Sequence, residues 1–232
     1  MESLQNFSYC NKTKFSPISD FILNKAVLNI NGNKYRICEI EFYYYSKDHP
    51  DVFTHCNIEQ LKCCTWYFHR TCNRGKYKSG TYKGLDITFG HETEKNKTYG
   101  GILIRSIISI KEKKFITGPC NCVNKILNLT EMNSIDELVL NMKTLNIFKS
   151  QFLFLEIDEK LELQIIYKSP RVGLTLKKQE NLRNRILYLG KMYRHVIYPE
   201  LQTKSVDLII CGLLYYGKTV EDVIKILHIE TK

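Results

Sequence analysis

Two glutamates two residues apart, Glu39 and Glu41, stand inside the apolar, aromatic-rich run from Tyr35 to Tyr45. Strand alternation puts Ile37, Glu39, Glu41, Tyr43 and Tyr45 on one face and Cys38, Ile40, Phe42 and Tyr44 on the other. If the first face lines a pocket closed to solvent, a carboxylate there holds a raised pKa and serves as a general base. If the strand lies at an edge, both glutamates are simply hydrated. The run by itself leaves both readings open.

Other reactive residue types follow downstream. Alternation groups Ile102, Ile104, Ser106 and Ile108 on one face and isolates Arg105 on the other, where it is free to meet a carboxylate. The segment 70–83 interleaves Arg70, Arg74, Lys76, Lys78 and Lys83 with Tyr77, Tyr82, Gly75 and Gly80. Cations mixed with aromatics suit a loop that follows a phosphate backbone and stacks on a base; a solvated hairpin has the same composition. Cys56, Cys63, Cys64, His69 and Cys72 are zinc-type ligands, but no pair has the Cys-x2-Cys spacing, and Cys120-x-Cys122 is tighter still. No metal is expected, and the thiols read as ordinary side chains.

The elements that must position these residues are mostly strands. Residues 25–30 reach a turn at Asn31-Gly32-Asn33 and continue into a long strand over 35–45. Further strands are expected at 65–69, 83–89, 101–110, 152–157 and 162–167, all rich in β-branched or aromatic residues. A helix follows Gly118-Pro119, with Val123, Ile126 and Leu127 on one side. A second starts at Ser134, where Ser134-Ile-Asp-Glu137 has the form of a capping box. Residues 204–216 and 219–228 read as two helices hinged at Gly217, with Thr219 or a neighbour as cap. They resemble the first two helices of a helix-turn-helix without a recognition helix after them, and are expected to cap the domain.

The 232 residues suffice for one substantial core, and the net charge of +10 favours polyanionic partners, nucleic acid before an anionic membrane or acidic protein. A bias toward Lys, Asn, Ile and Tyr accounts for part of that charge. The most apolar run, Val206 to Tyr216, is about half of what spans a bilayer. The polar start, Met1 to Lys14, lacks a secretory signal, and nine cysteines without framework spacing suit a reducing compartment. An intracellular protein, nuclear or cytoplasmic, is expected, with no membrane partner and a monomer as the default.

The same residues carry a resemblance. Ile37-Cys38-Glu39-Ile40-Glu41-Phe42-Tyr43 looks like the Ile-Val-Glu-Thr-Glu-Ala-Tyr signature of the alkyladenine DNA glycosylases. Phe53-Thr54-His55 is similar to that family's Ala-Ala-His turn, and Leu85-Asp86-Ile87-Thr88 to its Met-Asn-Ile-Ser. Ile102-Leu-Ile-Arg105-Ser-Ile107, Gly118-Pro119 with its helix, Pro170-Arg-Val-Gly-Leu174 and Ile186-Leu-Tyr-Leu-Gly190 keep the family's order.

The resemblance implies an α+β fold, a curved antiparallel sheet or partial barrel with peripheral helices. The matches cover roughly residues 18–195, and the expected division is 1–17 as an extension, 18–200 as the glycosylase-like domain and 201–232 as a helical appendage. The resemblance implies hydrolysis of the N-glycosidic bond of a modified purine flipped into a pocket, without cofactor or catalytic lysine. Glu41 would activate the water and Arg105 would help hold it. Tyr43 and His55 would sandwich the base. Two positions depart from the family: His69 stands where a second stacking Tyr is expected, and Asp86 where an Asn discriminates against guanine. The wedge that fills the vacated stack has no clear counterpart, so Arg70, Arg74, Lys76, Lys78, Tyr82 and Lys83 are the expected nucleic-acid contacts. DNA is the first expectation, with RNA or a single strand open. A non-catalytic reader of modified bases on the same scaffold is the alternative.

Overall fold

The computed structural model describes residues 15–73, 75–177 and 180–229. Its centre is an eleven-stranded antiparallel sheet that does not close. The main strand order is β10 (Tyr167–Ser169), β11 (Arg194–Val196), β2 (Asn33–Ser46), β7 (Lys97–Ser109), β5 (Leu85–Phe89), β4 (Cys63–Phe68). β1 (Ala26–Ile30) pairs with both β2 and β9 (Leu153–Ile157), and short strands β3 (His49–Pro50), β6 (His91–Glu92) and β8 (Phe115–Thr117) extend β2 or β7. Six α-helices lie around it among the described residues: α1 (Ser16–Asp20), α2 (Pro119–Leu129), α3 (Ile135–Asn141), α4 (Leu182–Leu189), α5 (Val206–Tyr215) and α6 (Val220–Ile226). The α+β class and the large antiparallel sheet with peripheral helices expected from the sequence are present. No described helix is long and apolar enough to cross a membrane.

Local chemistry explains most boundaries. The β1–β2 turn is made by Asn31 and Gly32, at φ 46° and 81°, the region that Asn and Gly tolerate. Pro at the first position opens α2, and Val123 and Ile126 face inward from it. Thr219 and Asp222 cap α6 reciprocally, and Gly217 at φ 80° makes the hinge. At α3 only half of the expected box forms. Ser134 accepts from the Glu137 amide, but the Glu137 carboxylate turns back to the Asn133 amide at 2.8 Å instead.

The strand expected over 162–167 is a correction. Asn24 takes both backbone groups of Gln164, accepting from its N–H at 3.0 Å and donating to its carbonyl at 3.1 Å. With those groups spent on a side chain, a ladder cannot run through, and the strand is confined to Tyr167–Ser169. Alternation also misplaces Ile37. The β2–β7 register shifts on either side of Glu39, and Ile37 packs in the core together with Cys38, Ile40, Phe42 and Tyr44.

One large core fills the space between sheet, α2 and α3. Phe15, within the expected extension, belongs to it and stacks on Phe42 with centroids 4.4 Å apart; residues 1–14 lie outside those described. The C-terminal pair has its own small cluster, Ile209, Leu213, Val223 and Leu227. It docks on β10 where Gly212 sits against the Lys168 carbonyl, an approach that leaves no room for a Cβ.

Candidate base-binding cavity and buried carboxylate pair

Register builds the site. Arg194 of β11 faces Glu41 of β2, Glu41 faces Leu103 of β7, and Leu103 faces Asp86 of β5. Directly paired residues share a face, so a row of side chains crosses four strands. The next row on that face is Tyr43, Gly101 and Thr88. Gly101 leaves the space into which the side chains of Asp86 and Gln60 reach. Over these rows lies a cavity of about 200 Å³ whose lining includes Tyr43, Phe53, His55, His69, Asp86 and Val172. That is below the roughly 300 Å³ at which drug-sized sites begin, and suits a single small ring system.

All four residues expected to bind a base, Tyr43, His55, His69 and Asp86, line this cavity. His69 Nε2 lies 2.7 Å from Asp86 Oδ1, and Gln60 donates to Oδ2 at 3.2 Å. Asp86 can only accept, so His69 carries its proton on Nε2. Gly84 lets the other edge of the His69 ring lie against the backbone. His55 meets His69 edge to face at 4.5 Å. Burial, then the neighbouring His69, lowers the His55 pKa. His55 is exposed to solvent as a residue, which moderates the shift, and the ring is neutral at pH 7 in either case.

Glu41 does not line the cavity; it lies directly behind the wall, fully buried. Tyr43 donates its hydroxyl to Oε2 at 2.8 Å and the Val172 amide donates to Oε1 at 2.6 Å. Burial, with Glu41 beside it, raises the Tyr43 pKa well above its usual value and keeps the phenol a donor. Arg105 approaches Glu41 at 3.4 Å and bonds Glu39 more closely, Nε to Oε1 at 2.9 Å. Arg194, fully buried, donates to the same Glu39 oxygen at 2.7 Å. Burial works against the Arg105 charge, and the carboxylates of Glu41 and Glu39 outweigh it, holding its pKa up. Two carboxylates and two guanidiniums therefore form one compensated cluster.

The wall over Glu41 is held by a second ion pair. Arg171 and Asp51 are fully buried and bonded twice, at 2.7 and 3.2 Å. The Arg171 guanidinium also lies 4.5 Å from the Tyr43 ring centroid and donates to the Phe42 carbonyl. Asp51, Gln60, Val172 and Arg194 were not singled out from sequence. Arg171 and Val172 lie in the Pro170–Leu174 motif, which was the available signal; nothing local marks Arg194, whose partners are distant in sequence.

The basic loop divides. Arg70 is used internally: it stacks on Tyr77 at 3.9 Å and donates to the Tyr77 hydroxyl and the Gly75 carbonyl. Lys76 and Tyr82 are exposed, Tyr82 at 77%. Tyr82, Lys83 and Lys204 line a second cavity of about 340 Å³ that shares His69 and Leu103 with the first. Lys78 reaches His55. Arg74 lies outside the described residues. Among the described residues no three His, Cys, Asp or Glu side chains converge as metal ligands; Cys63 and Cys64 contact each other, with Sγ atoms 3.4 Å apart.

No protein-family model matches the chain. It is 40% identical over 204 residues to "Uncharacterized protein L759" of Acanthamoeba polyphaga mimivirus, an alignment covering 84% of this chain and 90% of that protein. With that identity over nearly the whole of both chains, this chain belongs to the family of the mimivirus protein L759.

Proposed function

We propose that the chain is a DNA glycosylase-like hydrolase on an alkyladenine DNA glycosylase scaffold. It takes a modified purine into the 200 Å³ cavity and cleaves its N-glycosidic bond. The observation that carries the reading is the convergence of Tyr43, His55, His69 and Asp86 on one cavity, with Glu41 buried against Tyr43 behind it. Tyr43 and the two imidazoles supply stacking surface. Asp86, held by His69 and Gln60, presents acceptor oxygen to a base edge that carries N–H donors. Glu41 is the base that would activate water, and the Arg105 guanidinium lies 3.4 Å from its carboxylate. The exposed Tyr82, beside Lys83 and Lys204, supplies an aromatic beside a cationic rim for the nucleic-acid backbone.

For Glu41 to reach a water at the sugar, the Tyr43 hydroxyl must swing off Oε2. That requirement supports a second reading, a non-catalytic reader of modified bases. Both Glu41 oxygens already accept hydrogen bonds, so the carboxylate is able to serve only as a brace for Tyr43 and Val172.

Incubating wild type and Glu41→Gln with alkylated and deaminated DNA and RNA, and assaying free base, separates the two. Release by wild type alone is the expected result. Saturable binding without release in both proteins would establish the reader instead.

A further inference from the structure

Lys78 is set apart from the other cations of its loop by its surroundings. Its amide bonds the His69 carbonyl at 2.8 Å, which ties the residue to the cavity wall. Its Nζ lies 3.4 Å from Nε2 of His55, itself a lining residue. The side chain is half-buried, and among the described residues its ammonium meets no carboxylate within 4.0 Å. A lysine that tracks phosphates keeps its charge in water; this one gives up part of its hydration without an ion pair in return. Burial pushes its pKa below the ordinary lysine value, with Asp86 opposing. Desolvated lysines of this kind are the usual amine nucleophiles toward carbonyls.

We infer that Lys78 is a nucleophile and that the chain carries a lyase activity on abasic nucleic acid, with His55 as the base. The inference rests on the nucleotide-pocket reading above for its substrate class, and adds to it a step for which that reading had no lysine. An abasic deoxyribose opens to an aldehyde at C1′. Nζ of Lys78, once its ammonium has given a proton to water, adds to that carbon as the free amine, and loss of water leaves an imine. The imine acidifies the hydrogens on C2′, and one passes as a proton to the neutral Nε2 of His55. The released electron pair forms the C2′–C3′ double bond, the C3′–O bond breaks, and the 3′-phosphate leaves with its electrons. Water hydrolyses the imine, returning the amine and freeing the unsaturated aldehyde. The sequence consumes no oxidant, reductant or metal.

The test uses the full chain and an oligonucleotide with one abasic site, made by removing uracil from a deoxyuridine, as single strand and as duplex. Sodium borohydride added during the reaction reduces the imine to a stable secondary amine. The expected result is a covalent complex whose modified peptide maps to Lys78, and its loss in Lys78→Arg. No complex in either strand state, or an adduct mapped to a different lysine in the wild type, overturns the inference. The base is already gone from this probe, so that failure leaves the hydrolase reading standing. Conversely, trapping at Lys78 without release of base from modified DNA removes the hydrolase reading and leaves the lyase.

Discussion

Tyr43 donates its hydroxyl proton to Glu41 across 2.8 Å, and by doing so places an aromatic ring between a buried carboxylate and the cavity it would serve. The phenol is both a wall of the pocket and a cover over its base. On the proposed hydrolase reading, opening of this contact is the motion on which base release would depend.

Glu41→Gln is expected to reduce base release by about 10²–10⁴-fold, the range for loss of a general base, while binding of modified DNA is retained. Tyr43→Phe separates cover from wall: it keeps the ring and frees Oε2. Release by Tyr43→Phe should equal or exceed that of wild type, measured as single-turnover release of free base. A fall as large as that of Glu41→Gln would assign the hydroxyl a direct part in the chemistry.

Asp86→Asn replaces an acceptor-only group by an amide while keeping its shape. The contact with His69 changes from charged to neutral, which costs about 1 kcal/mol, the difference between a hydrogen bond to a charged group and one between neutral groups. The preference among bases should move away from those with N–H donors on the edge facing Asp86. Competition by free bases in a binding assay reads this directly, and an unchanged ranking would exclude Asp86 as the selecting group.

Much of this site is legible locally, and some of it is not. Alternation on long strands puts Glu41 and Tyr43 on one face and sets Arg105 apart, a period of two that needs no partner to be read, while their roles come from the ordered motifs of the resemblance. The helix after Pro119 and the cap at Thr219 are likewise written in neighbouring residues. The row joining Arg194, Glu41, Leu103 and Asp86 depends on the register of four strands, which no local pattern specifies. The expected strand over 162–167 failed for a related reason. Its periodicity was present, but Asn24, 140 residues away, took the backbone of Gln164.

Arg171→Met tests the support of the wall. Removing one partner of a fully buried ion pair leaves Asp51 uncompensated, and about 3–5 kcal/mol of stability is expected to go. Urea unfolding gives the loss, and ligand binding by the protein that remains folded should weaken because Val172 and Tyr43 are no longer held. A loss below 1 kcal/mol, about what exposed pairs contribute, would mean that Asp51 is solvated after all.

His195 supplies the pH dependence. It is buried between strands with Nδ1 unpartnered, and burial, then Lys168, lowers its pKa to about 3. Unfolded, it titrates near 6.5, so between those values the unfolded chain binds the extra proton. Its contribution is complete above pH 6.5 and is lost as pH falls toward 3, at about 1.4 kcal/mol per unit. Wild type should lose about 2 kcal/mol more than His195→Gln between pH 7 and 5. Parallel pH profiles for the two proteins would show that His195 is not the titrating group.

Gly84→Ala places a methyl 2.5 Å from His69 Nδ1. The ring has to turn, and the bond to Asp86 is lost with it. Overpacking of this kind costs about 1–3 kcal/mol, and the imidazole resonances of His69 should move sharply while those of His195 stay in place. An undisturbed His69 spectrum would show that the backbone yields instead.

Arg194 and Glu39 are bonded across 155 residues, and Arg171 and Asp51 across 120. Synthesis proceeds from the N-terminus, so both acidic partners leave the ribosome long before the arginines that neutralise them exist. Until then β2 carries two carboxylates on what will become an interior face, and its neighbour β11 is missing. Closing such distant pairs is slow, and an unfinished sheet with an open edge is prone to stick to others of its kind. The nascent protein is thus expected to depend on chaperones until residue 194 has emerged, and chains stopped short of it should accumulate as aggregates with no cavity at all.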